Sequence, residues 1–169
     1  MKTDYIDIVF LHNMHNRGGW EKGVLSLEEI RKMIGEGKVR FAGVADHSNK
    51  NLFQIDIYAD LVDVILLRYS CKRKDEAEAA LAKAKSLDIG TFAMKVFGGA
   101  YDSWDSKAPN LSNHPHLQPL LDQGISLSHA VVRFVLNNPN LSSALIGMRK
   151  NIEIKDNAAA LYNKKTVLS

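Results

Sequence analysis

Short apolar runs alternate with longer segments of helical periodicity along most of this chain. The apolar runs lie at residues 5–11, 39–45, 62–70, 90–96 and 143–147. Each is followed by a helical pattern, at about residues 26–34, 51–59, 74–87, 126–138 and 151–162. Near-continuous apolar strands joined by helices are typical of a parallel sheet that helices cover. The pattern therefore predicts an α/β fold of about five parallel strands in strict strand-then-helix order.

Capping residues predict where two of the helices begin. Ser26 followed by Glu29 matches a capping box, so we expect the first helix to begin at Ser26. The fourth helix is expected to begin at Ser126 or Ser128 and to end before Pro139.

Composition limits the partners and the location. The chain has 169 residues, of which 46% are hydrophobic and 24% charged, and its net charge is +3. These values predict one globular domain over residues 1–169. Because Lys and Arg form no basic arm or basic helix, we expect neither a nucleic-acid nor a membrane partner. The single cysteine, Cys71, excludes an intramolecular disulfide and, with no signal-peptide pattern present, predicts a cytoplasmic protein.

Polar residues follow the predicted strands in a regular way. They are His12 and Asn13, then Asp46 and His47, then Tyr69 and Cys71, then Lys95, then Gly147 to Arg149. Ligands of parallel α/β sheets bind beyond the carboxyl ends of the strands, so these residues mark the expected site. Gly98 and Gly99 follow Lys95 closely and suggest a phosphate site, although a Gly-Gly pair is also a common turn.

Other chemistries fit these residues less well. His12, His15, Asp46 and His47 lack a recognised spacing of metal ligands, so we predict no metal site. Asp46, His47 and Ser48 are consecutive, and neighbouring side chains of an extended segment point to opposite sides, which disfavours a catalytic triad.

Two further groups are assigned no chemistry. Cys71 has no histidine clearly placed to activate it as a nucleophile, so we expect a small buried residue. His114 and His116 lie in an irregular stretch and are expected to be solvated loop residues.

Several segments together resemble one known family. "DYIDIVFLH", "GKVRFAGVADHS", "AMKVFGGA", "AVVRFVLNNPNLSSALIGM" and a late Asp-Asn pair occur in the order found in aldo-keto reductases. That family forms an eight-stranded (β/α)8 TIM barrel and reduces carbonyls with a nicotinamide cofactor. The chain is similar to the part of the barrel from strand four to strand eight. The resemblance therefore implies a partial TIM barrel, truncated at the front.

The resemblance also implies a site. His12 matches the histidine that orients the substrate carbonyl, whereas the family's catalytic aspartate, tyrosine and lysine have no counterpart in this sequence. The positions that match the family's cofactor site are Asp46, Met94, Lys95, Gly98, Gly99, Gly147, Arg149, Asp156 and Asn157. The implied cofactor is NADP or NAD, and the implied substrate is a small carbonyl compound.

The sequence departs from the family pattern around the nicotinamide. Ala45 and Asp46 replace a Ser-Asn pair, Leu66 replaces a glutamine, and Met94 replaces a stacking aromatic residue. Glu153 stands where some members have an arginine for the extra phosphate of NADP. The pyrophosphate and adenine positions are better kept, and the choice between NAD and NADP stays open.

Five strands are too few to close a barrel, so two sheet edges and an apolar inner face should be exposed. Candidates for that exposed face are Ile8, Phe10, Val44, Ile65 and Leu67. Exposure of a few hundred Å² of apolar surface costs several kcal/mol at ~25 cal/mol per Å². We therefore expect a homo-oligomer, with a dimer as the expected form. The alternatives are a second polypeptide that supplies the missing half, or an open doubly wound sheet.

Two functions follow from these expectations. The first is an aldo-keto-reductase-like oxidoreductase, impaired because three catalytic residues are absent, with Tyr69 or Tyr101 as the only stand-in proton donors. The alternative is a non-catalytic protein that binds a nucleotide or phosphate, or a self-assembling scaffold derived from a reductase.

Overall fold

A computed structural model describes residues 2–13, 20–97 and 115–162. Its strands are Ile6–His12 (β1), Val39–Asp46 (β2), Val64–Arg68 (β3), Gly90–Met94 (β4) and Ser143–Ala144 (β5). Its α-helices are Trp20–Gly35 (α1), Asp75–Ser86 (α2), Gln118–Leu121 (α3), Leu127–Leu136 (α4) and Asn151–Tyr162 (α5). The 3₁₀ helices are Asn49–Leu61 and Pro115–Leu117.

The strands form one parallel sheet in the order β1-β2-β3-β4-β5. A doubly wound sheet would reverse its strand order part-way, whereas here each new strand is added beside the previous one, as in a barrel. The sheet is not closed. The prediction of an α/β fold that forms part of a TIM barrel is therefore confirmed.

The chain divides into two compact units. Unit 1 comprises Met1–Arg68 and Asp75–Phe92, and unit 2 comprises Tyr69–Lys74 and Ala93–Ser169. The organisation of residues 1–169 as a single domain stays a prediction.

In unit 1, one face of the sheet is covered by helices. α1 and the 49–61 helix pack on β2, and α2 packs on β3. Val44, Ile65 and Leu67 are each 0% exposed. Their predicted exposure on the inner face is wrong, because the strand alternation and the register Val44 to Ile65 place them on the helix-covered side.

The opposite face of unit 1 is only partly covered. Ile6 and Phe41 are each 41% exposed. Ile8 and Phe10, which were candidates for the exposed face, are half-buried. Gly43 lies opposite Phe10 in the β1–β2 register, and a Cβ at Gly43 would stand 2.5 Å from the Phe10 ring. Because Gly43 has no side chain, the Phe10 ring can lie across β2.

Two further features shape this open face. The Phe10 ring meets Phe92 of β4 edge-to-face, with centroids 6.5 Å apart. At the amino ends of the strands the face opens into a cleft of about 500 Å³, whose lining includes Ile8, Phe41 and Val64.

Packing moves the start of one helix away from its predicted cap. α1 begins at Trp20 and not at Ser26. The Trp20 ring is buried and stacks on Tyr58 with a centroid separation of 4.6 Å, and this contact extends the helix by six residues before the capping box. In contrast, Ser126 caps α4 as predicted, since its hydroxyl accepts the backbone N–H of His129 at 3.2 Å.

Candidate functional site

The carboxyl end of β1 in unit 1 carries His12. His12 is the last residue of the strand, and its side chain is exposed. Its register partner is Ala45 of β2, and the backbone N–H of Asn13 donates to the Ala45 carbonyl at 2.8 Å. Asn13 has a φ of +60°, which favours asparagine among non-glycine residues. The backbone on both sides of His12 is therefore held beside the end of β2.

The carboxyl end of β2 brings a second histidine next to His12. The ring centroids of His12 and His47 are 5.3 Å apart and their planes make an angle of 84°. Asp46, which precedes His47, is 0% exposed, and its Oδ1 accepts the backbone N–H of Ser48 at 2.7 Å. The structure thus uses one Asp46 oxygen to shape the turn that presents His47.

The described residues offer no cluster of metal ligands. Across 2–13, 20–97 and 115–162, no group of three or more His, Cys, Asp or Glu side chains could hold an ion. His15 and His114 lie outside these ranges.

In unit 2, the residues after β3 are buried. Tyr69 is 2% exposed, its ring stacks on Phe134 at 6.0 Å, and its hydroxyl accepts a hydrogen bond from the side-chain amide of Asn138 at 2.9 Å. Burial raises the pKa of the Cys71 thiol to about 11. A thiol with such a pKa is almost entirely protonated at neutral pH, so Cys71 is not an activated nucleophile.

The exit of β4 combines a half-buried and an exposed residue. Met94 ends the strand, and its carbonyl accepts the backbone N–H of Tyr69 at 3.2 Å. Lys95 is exposed and has a φ of +56°, a strained value for a lysine. Gly98 and Gly99, the predicted phosphate loop, lie outside the described residues. Tyr101 lies outside them as well.

Asp156 and Asn157, the predicted adenine pair, lie in α5. The Asp156 carboxylate accepts the Ser126 hydroxyl at 2.9 Å and also contacts the Ser128 hydroxyl. Asn157 is 9% exposed. Sequence reasoning chose the two serines only as helix starts. The contact of Asp156 with Ser126 and Ser128 gave no signal in the sequence, because Asp156 lies 30 and 28 positions after these serines.

A carboxylate of α5 itself binds the backbone N–H groups at the start of this helix. Glu153 accepts the backbone N–H groups of Arg149 at 2.5 Å and of Lys150 at 3.2 Å. The hydrogen bond from Arg149 is the main reason that the pKa of Glu153 lies below its ordinary value. Gly147 lies in open space, since nothing stands within 4 Å of a Cβ built on it. Arg149, two residues after Gly147, is also exposed.

These positions can be compared with those of known proteins. The model of the aldo/keto reductase family matches residues 1–167. The chain belongs to the aldo/keto reductase family. The membership confirms the resemblance that the sequence segments indicated, and it supports an oxidoreductase-type function.

Two curated aldo/keto reductase relatives are distant in sequence. Morphine 6-dehydrogenase of Pseudomonas putida is 25% identical over 144 residues, which are 80% of this chain and 46% of that protein. Aldo-keto reductase YhdN of Bacillus subtilis is 24% identical over 180 residues, with 89% of this chain and 51% of that protein covered. The chain thus spans about half the length of the curated relatives it matches.

A solved aldo/keto reductase supports the fold. The crystal structure of the enzyme from Brucella melitensis superposes with a TM-score of 0.70 over 98% of this chain and 58% of that one, at 17% identity. Members of the family generally use NAD(P)H. Of the positions matched to that cofactor, Lys95 and Arg149 carry exposed cationic side chains, and the Glu153 carboxylate lies beside the backbone N–H of Arg149.

None of the described helices combines the length and the apolar character needed to cross a bilayer.

Proposed function

We propose that the chain takes part in NAD(P)H-dependent reduction of a carbonyl compound, with His12 at the substrate carbonyl. The observation that carries this proposal is the position of His12. It is an exposed imidazole at the carboxyl end of a parallel strand, at the position where the family resemblance expects its catalytic histidine. Active sites of barrel enzymes lie at that end of the strands.

The chemistry of His12 follows from its donor group. A neutral or protonated imidazole donates an N–H hydrogen bond to a carbonyl oxygen, fixes its orientation and stabilises the negative charge that develops on it. The cofactor supplies the hydride when bound. A proton must also reach the oxygen, and Tyr69 does not suit this task because it is buried against Phe134 and bonded to Asn138.

The residues of unit 2 favour NAD over NADP. Glu153 stands where some family members have an arginine for the extra phosphate, and its carboxylate is kept ionised by two backbone N–H groups. A phosphate placed there would meet this negative charge. We therefore expect NADH to bind more tightly than NADPH. Replacement of Glu153 with Arg should reverse the preference, whereas the same replacement of Glu78 of α2, which is half-buried like Glu153, should not.

Calorimetric titration and a turnover assay test the proposal together. NADH and NADPH are each titrated against the purified chain, and oxidation of the bound cofactor is then followed at 340 nm in the presence of an aldehyde or a quinone. Turnover that His12→Ala lowers by about a hundredfold supports the proposal. Turnover that survives His12→Ala unchanged contradicts the assignment of His12.

The second candidate function is non-catalytic binding of a nucleotide or phosphate, or a scaffold role. The burial of Tyr69 favours it, because one of the two tyrosines expected to replace the missing proton donor is unsuited to that role. The same assay separates the two functions. Saturable cofactor binding without turnover for any carbonyl tested supports the second function.

We also propose that a second copy of the chain covers the open face of unit 1. The support is that this sheet face is apolar and that two of its residues, Ile6 and Phe41, are each 41% exposed. A stable dimer buries about 800 Å² on each partner, and such a face supplies its apolar centre.

A cytoplasmic location of the chain is a separate proposal.

Light scattering after gel filtration measures the assembly. Phe41→Asp should convert a dimer to a monomer, whereas Ile57→Asp, at a residue that is 69% exposed on the 49–61 helix, should not. A monomeric wild-type chain at micromolar concentration contradicts the proposal. Co-purification of a different polypeptide in stoichiometric amount shows that another chain covers the face.

A further inference from the structure

The geometry points to His47 as a positioning residue for His12, an inference that rests on the proposed function. The two rings pack edge-to-face, with centroids 5.3 Å apart and an interplanar angle of 84°. Edge-to-face contact is one of the two preferred arrangements of neighbouring aromatic rings. His12 is exposed at the end of its strand, so the His47 ring limits the orientations that the His12 imidazole can adopt.

A positioning role requires that His47 itself is held. Asp46 is fully buried, and its Oδ1 accepts the backbone N–H of Ser48 at 2.7 Å. This bond closes the turn on both sides of His47. His47 therefore stands on a fixed turn that directly follows a strand.

The backbone of His12 is fixed as well. The N–H of Asn13 donates to the carbonyl of Ala45, the register partner of His12. The direction of the His12 imidazole then depends on its side-chain torsions, and the His47 ring contact limits these torsions. A carbonyl-orienting imidazole acts only when its N–H points at the substrate oxygen, and a misplacement of about 1 Å is costly in rate. His47 contributes by holding the ring and does not need to touch the substrate.

Three variants separate a ring contact from other effects. His47→Ala removes the ring, and His47→Phe keeps an aromatic ring but no imidazole nitrogen. Ser48→Ala is the matched control, because this side chain lies in the same turn and makes no capping hydrogen bond. We expect His47→Ala to lower kcat for carbonyl reduction about tenfold with little change in KM for the cofactor. His47→Phe should restore most of the loss.

NMR spectra of the His12 ring give a readout that does not depend on activity. The ring protons are identified by the signals that disappear in His12→Asn. A perpendicular neighbouring ring displaces these resonances, so His47→Ala should shift them toward the values of an exposed histidine, and His47→Phe should keep them displaced. Ser48→Ala should leave them at the wild-type positions.

Each outcome has a defined meaning. Unchanged His12 ring signals in His47→Ala overturn the inference, whatever the activity. Shifted signals together with a loss of kcat that His47→Phe restores support it. If the signals shift but neither the wild type nor any variant reduces a carbonyl, His47 still positions His12, and it is the proposed function that fails.

Discussion

The two faces of the sheet in unit 1 have similar apolar sequences but different surroundings. On one face Val44, Ile65 and Leu67 are 0% exposed, and on the other Ile6 and Phe41 are each 41% exposed. Each of the strands β1, β2 and β3 is followed in the chain by a helix, and these helices cover the first face. Among the described residues of unit 1, the second face is the less covered of the two. In a closed barrel it would be filled by side chains from strands across the interior.

The largest expected effect on stability comes from shortening one apolar side chain on each face to alanine. Leu67→Ala should lower the free energy of unfolding by about 2–5 kcal/mol, because it leaves a cavity under the helices. Phe41→Ala should cost less than Leu67→Ala in the monomer, about 1 kcal/mol, since Phe41 is already 41% exposed. Urea unfolding at low concentration measures both changes. Equal losses would show that the open face is covered in solution.

Gly43 tests the packing of the open face itself. Gly43→Ala should cost about 1–3 kcal/mol, because the new Cβ would stand 2.5 Å from the Phe10 ring and displace it from Phe92. Phe10→Leu in the same chain should recover part of the loss. Gly90→Ala is the control, since its Cβ would meet no atom closer than 3.5 Å. If Gly43→Ala and Gly90→Ala unfold alike, Phe10 does not lie across β2.

Asp63 tests how the covering helix is fastened to the sheet. Its Oδ2 accepts the backbone N–H of Ala42 at 2.7 Å, and its Oδ1 accepts the Arg31 guanidinium of α1 at 3.0 Å. Asp63→Ala should lower the free energy of unfolding by about 1–2 kcal/mol, because it leaves a backbone donor without its partner. Asp60→Ala, at an exposed site of the 49–61 helix, is the control and should change little. A double-mutant cycle with Arg31→Ala measures the part due to the ion pair.

The smallest effect concerns a covered titratable group in unit 2. Burial, with the nearby Arg133, lowers the pKa of His129, although Asp156 opposes the shift. The unfolded chain therefore binds the proton more readily, so stability should decrease as the pH falls from about 6.5 toward the lowered pKa. The slope due to one group is at most about 1.4 kcal/mol per pH unit. His129→Gln should flatten the decrease, and an unchanged slope would show that His129 is solvated.

Sequence reasoning recovered the type and order of the regular elements. The predicted last helix, 151–162, has the observed bounds of α5, and each predicted strand overlaps an observed one. The predicted third, fourth and fifth strands were too long, because the run of residues between two helical patterns does not mark where the strand itself begins and ends. α3 was missed because no side chain caps its start, and the long extension of α1 was missed because it begins at Trp20, whose ring stacks on Tyr58.

The candidate site was predicted in part. The positions of His12 and His47 at neighbouring strand ends follow from parallel pairing and from the position of each residue in its strand. Their ring contact could not be predicted, because it depends on the turn that Asp46 closes. The Ser126–Asp156 contact likewise joins two helices far apart in the chain.

The sequence by itself determined the family, the alternation of strands and helices, and the presence of a histidine where the first strand ends. These properties depend on local periodicity and on the order of short segments. Only the tertiary structure decided which apolar residues lie under the helices, since a one-residue change of register would exchange the two faces of a strand. It also decided that Tyr69, Glu153 and Asp156 are engaged by other groups of the chain, because hydrogen bonds and burial depend on neighbours that the linear order does not reveal.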